Sequence, residues 1–427
     1  MSLRNHPDRY VLTNEIHARP FPTMAAPGQA LFLALKPTLD AGTVDVDAER
    51  KHLISLLDRF GASHPNPDAT HYSGTVGRYQ LKWECHTEFV SYLMFSDHRS
   101  ARAFDPQEFE VFPDDWLTEA PGMRIASGHI RVEQRALDDE EIPALMTDWF
   151  QAESLASARI LDDAAVVASD FRMDAGGHCR FAVFADPSTG PRRIGRIVQR
   201  LTEIEIYKTV SMLGLLKARA LGGEIAAVEQ RLVGLVGGLS EAPAAADAAL
   251  AELLGISADL EAMTARTDFR FGATEAYEAI VLQRIKVLRE ERYRGLQTLS
   301  EFMTRRYDPA MRTVRSTKQR LQRMTERAGR AGQLLRTQVD VARSSQNQDL
   351  LVSMDRRADL QLRLQKTVEG LSVVAISYYA VSLAGYLIYP LAGPLGLSKG
   401  TLLALIAPVV ILAVWLMARR IRHAIEK

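Results

Sequence analysis

The strongest constraint in this sequence lies near its C-terminal end, where residues 370–398 carry no charged side chain and residues 402–417 carry none either. At about 1.5 Å of rise per residue, each block is long enough to cross a bilayer as a helix. Pro390, Gly393, Pro394 and Gly396 punctuate the interval and leave room for a tight reversal, not for a third span. The expectation is a transmembrane hairpin with a first span over 370–389, a turn over 390–400 and a second span over 401–418. Arg363 and Lys366 precede the hairpin and Arg419, Arg420 and Arg422 lie in a basic tail over 419–427, whereas the turn carries only Lys399. The positive-inside rule then places both termini in the cytoplasm.

Upstream, Asp308-Pro309 reads as an N-cap followed by proline at the first helical position, and no proline recurs until Pro390. This predicts one stalk helix over 308–369 that continues into the first span. Together they would measure about 120 Å. Gly329 and Gly332 are its weakest points. Apolar residues are sparse along the stalk (Val314, Leu321, Leu335, Leu350, Met354, Leu360, Leu364), and from Arg305 to Lys366 there are fifteen Lys/Arg against six Asp/Glu. Such a helix cannot bury a full face alone and must pack on other helices or, as in a coiled coil, on copies of itself.

Within the first span, Ser372, Ala375, Tyr379, Ser382, Tyr386 and Tyr389 follow a 3, 4, 3, 4, 3 spacing, so small and polar side chains form one stripe. Polar groups in a span avoid lipid. Either the stripe packs against the second span, or it faces a shared axis in a parallel homo-oligomer. In the latter case Ser372, Tyr379, Ser382, Tyr386 and Tyr389 are pore-lining candidates.

Residues 1–200 alternate strand-like and helix-like patterns. Strands are expected at Ala30–Leu35, Met123–Arg135 and Ala164–Arg172, with a strand-rich stretch of two strands over Gly74–Phe95. Amphipathic helices are expected at Asp47–Phe60, Asp139–Phe150 and Arg192–Leu216. Asp174-Ala175-Gly176-Gly177 predicts a hairpin turn into Cys179–Phe184, which makes the sheet at least partly antiparallel. Residues 201–307 read as a helical layer, including a long helix over Glu275–Met303. The fold class is therefore α+β with membrane helices: a cytosolic mixed α/β domain over 1–200, the helical layer, the stalk and the hairpin.

The chain has 52 basic and 52 acidic residues, so no global charge bias recommends nucleic acid as a partner, and the hairpin makes the lipid bilayer one. Cys85 and Cys179 form no metal-type or redox-type pair. Met1–Tyr10 lacks the apolar core of a signal peptide, which leaves targeting to the hairpin.

Two short stretches carry candidate chemistry. Asn14–Phe21, if extended, points Glu15, His17 and Arg19 to one side, and Lys82–Phe89 aligns Lys82, Glu84, His86 and Glu88. Carboxylate plus imidazole suits a divalent cation such as Zn²⁺, so Glu15, His17, Glu84, His86 and Glu88 are ligand or metal candidates. A salt-bridged, solvated strand face produces the same alternation. No cofactor is certain from these residues. The chain contains no phosphate-cradling Gly-x-x-x-x-Gly-Lys-Ser/Thr, no His-Glu-x-x-His and no Gly-x-Ser-x-Gly, and an enzyme is not expected.

The stretches Asn14–Phe21, Lys82–Phe89, Arg196–Leu201 with Glu203–Glu205, and Val368–Ile376 together resemble an uncharacterised bacterial family of membrane-anchored proteins, a domain of unknown function, over nearly the whole chain. The order of segments also resembles CorA-type divalent-cation channels. That resemblance implies an inner-membrane homo-oligomer, a pentamer in those channels, with the first span lining the pore. It departs at the outer end of the span: where those channels carry Gly-Met-Asn, this chain has Gly385-Tyr386-Leu387. Two readings follow. The first is a CorA-like cation channel or transporter with a regulatory cytosolic domain. The second is a non-conducting, membrane-anchored sensor or scaffold.

Overall fold

The computed structural model describes residues 4–10, 12–13, 21–38, 43–238, 246–388, 390 and 398–425. Glu15, His17 and Tyr389 lie outside the described residues. The chain divides into two compact units, Met1–Glu241 with Ala248–Gly332, and Ala242–Asp247 with Gln333–Lys427.

The first unit is built on one nine-stranded sheet in the order β2-β3-β4-β1-β5-β8-β7-β6-β9. Its strands are β1 (Gly28–Lys36), β2 (His71–Val76), β3 (Tyr79–Cys85), β4 (Val90–Ser96), β5 (Met123–Gln134), β6 (Ala156–Ile160), β7 (Ala165–Ser169), β8 (Cys179–Ala185) and β9 (Glu291–Arg292). Every ladder is antiparallel except β5 with β8. The expected hairpin is present between β7 and β8: the Asp174 carbonyl accepts from the Gly177 N–H at 3.0 Å, and Gly177 takes a φ of +79°, open to glycine at no steric cost.

Helix α1 (Val46–Arg59) is capped by the Asp45 side chain, which accepts from the N–H groups of Asp47 and Ala48. Its Leu53, Leu56 and Leu57 join Leu31, Leu33, Leu35, Trp83, Tyr92 and Trp116 in one apolar cluster, the last residue from the short α2 (Asp114–Thr118). A second cluster forms where Ile142 and Met146 of α3 (Glu141–Trp149) meet Val166, Ala182 and Phe184. Cross-strand register puts both clusters on the same face, since Leu31 opposes His129, Gln29 opposes Arg131 and Arg131 opposes Ala182. On the other face, α4 (Pro191–Gly238) lies against β1, β5 and β8, burying Ile194, Ile197, Val198 and Leu201. With both faces covered, all nine residues of β1 are buried.

Three helices make the rest of this unit: α4, α5 (Ala246–Leu288) and the first part of α7 (Asp308–Ile388), with the short α6 (Leu299–Arg306) between the last two. α4 and α5 run antiparallel, tied by Arg266 to Glu224 and by Arg231 to Asp259, each at 2.7 Å. They approach closely at Gly214, where an added Cβ would sit 2.3 Å from Thr274 Oγ1. α7 pairs with α5 through Arg315–Glu278 at 3.0 Å and Lys318–Glu275 at 2.7 Å.

α7 runs without interruption through Gly329 and Gly332 of the first unit to Ile388, and in the second unit α8 spans Lys399–Ile425. Both helices contain segments long and apolar enough to cross a membrane. They pack on each other through a narrow strip of which Ser377, Leu402 and Val414 are buried, with Gly385 close to Leu403.

Four expectations need correction. Gly74–Phe95 holds three strands in place of two, because Gly77 takes a φ of +57° at one turn and residues 86–89 make another. The strand expected to reach Arg172 ends at Ser169, and residue 200 lies inside α4. The helix expected over Glu275–Met303 is broken between Leu288 and Leu299. There Arg289, Arg294 and Gly295 take positive φ, β9 pairs with β6, and a Thr298/Glu301 capping box starts α6 afresh.

Candidate functional site

The alternation of β3 sends Trp83 and Cys85 into the α1 cluster and Lys82 and Glu84 to the opposite face. β4 places Leu93 opposite Lys82 and Ser91 opposite Glu84. α4 crosses over this corner with Gln199, Arg200, Thr202, Glu203 and Tyr207, and α5 adds Arg284. Together with His86, Phe89 and Phe21 they line a cavity of about 390 Å³. This is within the range of small-molecule pockets.

One wall is aromatic. The His86 ring stacks on Phe89 with centroids 4.4 Å apart and meets the Tyr207 ring edge-on at 6.1 Å, and Ser91 Oγ lies 3.4 Å from His86 Nε2. The other wall is charged. Lys82 Nζ sits 3.2 Å from Glu84, the Arg284 guanidinium donates to Glu203, and Gln199 Nε2 donates to the same carboxylate at 2.7 Å. Arg200 makes no hydrogen bond or ion pair among the described residues. Burial, with the charges of Arg196 and Arg284, holds its pKa below the usual guanidinium range. Gln199 Oε1 and Thr202 Oγ1 are buried without partners among the described residues. Buried polar groups normally find one, so these two await a ligand or water. An unpaired cation, two unfilled polar atoms and stacked rings are suited to a small, polar, negatively charged molecule.

Of the metal candidates, Glu84 and His86 line this cavity, but Glu88 does not join them. The extended backbone assumed for Lys82–Phe89 stops at Cys85, and the His86 N–H turns back to the Phe89 carbonyl at 2.8 Å. Glu88 is instead buried in an ion pair with Arg270, with Tyr277 OH donating to it at 3.3 Å and Lys36 Nζ at 4.0 Å. Among the described residues no three His, Cys, Asp or Glu side chains come together to hold a metal. Residue-type reasoning missed Gln199, Arg200 and Arg284; the first two lie in Arg196–Leu201, a stretch carrying the family resemblance, and Arg284 carried no signal.

In the second unit, Ser372, Tyr379 and Tyr386 stay exposed, Tyr379 at 72% and Tyr386 at 76%, and Ser382 is half-buried. At 100° per residue their stripe falls on the side of α7 opposite the strip that packs on α8. The side chains buried where α7 meets α8 are thus not the exposed residues of the stripe.

The cavity gathers Phe21 with residues of the Lys82–Phe89 and Arg196–Glu205 stretches from three distant parts of the sequence. No curated protein matches the chain. A family match does, extending over residues 4–425, and the chain belongs to the family described as Protein of unknown function (DUF3422).

Proposed function

We propose that the chain forms a homo-oligomer of CorA-like build in a bacterial inner membrane, with both termini in the cytoplasm, and that the apolar part of α7 lines a cation path on the shared axis. It is not an enzyme in this reading. The observation that supports it is the stripe of exposed Ser372, Tyr379 and Tyr386 with half-buried Ser382, turned away from α8 while Ile376, Leu383 and Leu387 flank it. Hydroxyl groups at membrane depth favour partners over lipid, and copies of the same stripe around an axis supply them. Native mass spectrometry of the detergent-purified protein, with and without Mg²⁺, tests the oligomer. A closed ring supports the reading and a monomer removes the axis on which it depends. Ion flux in reconstituted vesicles tests conduction: Tyr386→Ala should change it, and native flux equal to that of empty vesicles would sink the claim.

The second reading, a non-conducting anchored sensor, is favoured by the cavity at Arg200. There the ligand of the sheet unit would be the signal, and the apolar helices only a tether.

A further inference from the structure

On the sheet face that carries α1 and α3, the gap between the two apolar clusters is a depression of about 600 Å³ walled by five arginines, Arg99, Arg102, Arg131, Arg135 and Arg180. Among the described residues Glu133 and Asp148 line it as well, and Asp139, Glu141 and Asp170 pair with its arginines from just outside. The arginines are built in. Arg131 is 5% exposed, its Nε donating to Glu133 at 2.8 Å and its Nη1 to the Ser100 carbonyl at 2.7 Å. Arg99 pairs with the same Glu133, so one carboxylate is shared between two guanidiniums. Arg135 is steered by Asp139 at 2.8 Å and Arg180 by Asp170 at 3.3 Å, while the Nε of each is buried without a partner. The Arg180 guanidinium also lies over the Phe104 and Phe150 rings, at 5.9 and 5.8 Å from their centroids. Arg102 makes no side-chain hydrogen bond or ion pair among the described residues.

We propose that this depression binds a small polyanion bearing adjacent phosphate groups. Five guanidiniums converge on one space, four of them oriented by internal carboxylates, and Arg102 with the unpartnered donors of Arg135 and Arg180 leaves planar forks for an anion that accepts from several at once. The site is separate from the cavity at Arg200 and does not depend on the membrane reading.

Inorganic pyrophosphate titrated calorimetrically into the full chain in detergent tests this. Saturable binding is expected, weakening at least tenfold in Arg102→Ala, a change at an exposed side chain with no internal partner that leaves the fold intact. Arg180→Lys, which keeps the charge but removes the fork, should weaken it as well. Arg200→Ala should leave it unchanged. No saturable binding below about 1 mM overturns the proposal. So does affinity that survives both Arg102→Ala and Arg180→Lys, or affinity that is lost only in Arg200→Ala.

Discussion

Glu49 shows how burial alone sets the behaviour of a single residue. It sits on α1 at 1% exposure with neither carboxylate oxygen hydrogen-bonded, and burial, followed by the nearby Asp45 charge, raises its pKa to about 7. A raised carboxyl pKa means the folded state holds a proton that the unfolded chain releases above the ordinary glutamate value of about 4.5. Stability from this group therefore declines as pH rises from about 4.5 to about 7, by up to about 3 kcal/mol. Glu49→Gln should remove that loss, so the variant gains on the parent between pH 5 and pH 8 in urea denaturation; parallel curves would show that Glu49 is not buried in this way. His129 acts at the other end of the scale. Burial, with the Arg131 and His178 charges, pushes its pKa down to about 3, so it folds neutral and costs stability only as pH falls below about 6.5. Neither role was legible in the sequence, where Glu49 looks like any charged residue of an amphipathic helix. Glu84 and His86 were legible as a pair because β3 alternates regularly up to Cys85. Glu88 was not, because Thr87-Glu88-Phe89 continues the same alternation through what is in fact a turn.

Among the elements, those with a strong period were readable. β1, β5, α1, α3 and the β7–β8 hairpin all fall within a few residues of expectation. β6 escaped notice because Ala156–Ile160 is short and alternates weakly. The break after Leu288 escaped because Glu290–Arg294 is rich in good helix formers, and only the long-range pairing of Glu291 and Arg292 with β6 overrides that local preference. The approach of α4 to α5 had no sequence signal either, since Gly214 reads simply as a weak helix position. Thr274 fills the space above it, donating to the Ser211 carbonyl at 3.1 Å. Gly214→Ala should cost about 1–3 kcal/mol through overpacking, in spite of alanine's better helix propensity. Thermal unfolding of Gly214→Ala with and without Thr274→Ala checks this: the second change should recover part of the loss.

At the scale of the whole molecule, the sequence revealed the long uninterrupted helix and the second apolar helix, because lack of charge and lack of proline are local properties. It left open which face of the first apolar segment meets the second, a question settled by the fit of Gly385 to Leu403. If the remaining stripe meets other copies, Tyr379→Cys or Tyr386→Cys should form disulfide-linked dimers under mild oxidation in membranes, and Leu387→Cys should not. Background will be low, because Cys85 and Cys179 are both buried. Equal cross-linking at all three positions would mean random collision in the bilayer. The sheet has a consequence of another kind. β1 is made early, yet its partners are made much later: Leu35 meets Val90 on one edge and Arg124 on the other. Closing those long loops costs entropy that the compact β7–β8 hairpin does not face, so pairing starts in the second half of the sheet and reaches β1 late. Until then a nine-residue apolar strand offers two open edges, the kind of template on which a second nascent chain can add. The centre of the finished sheet is thus the part of the chain most in need of protection while it is being synthesised.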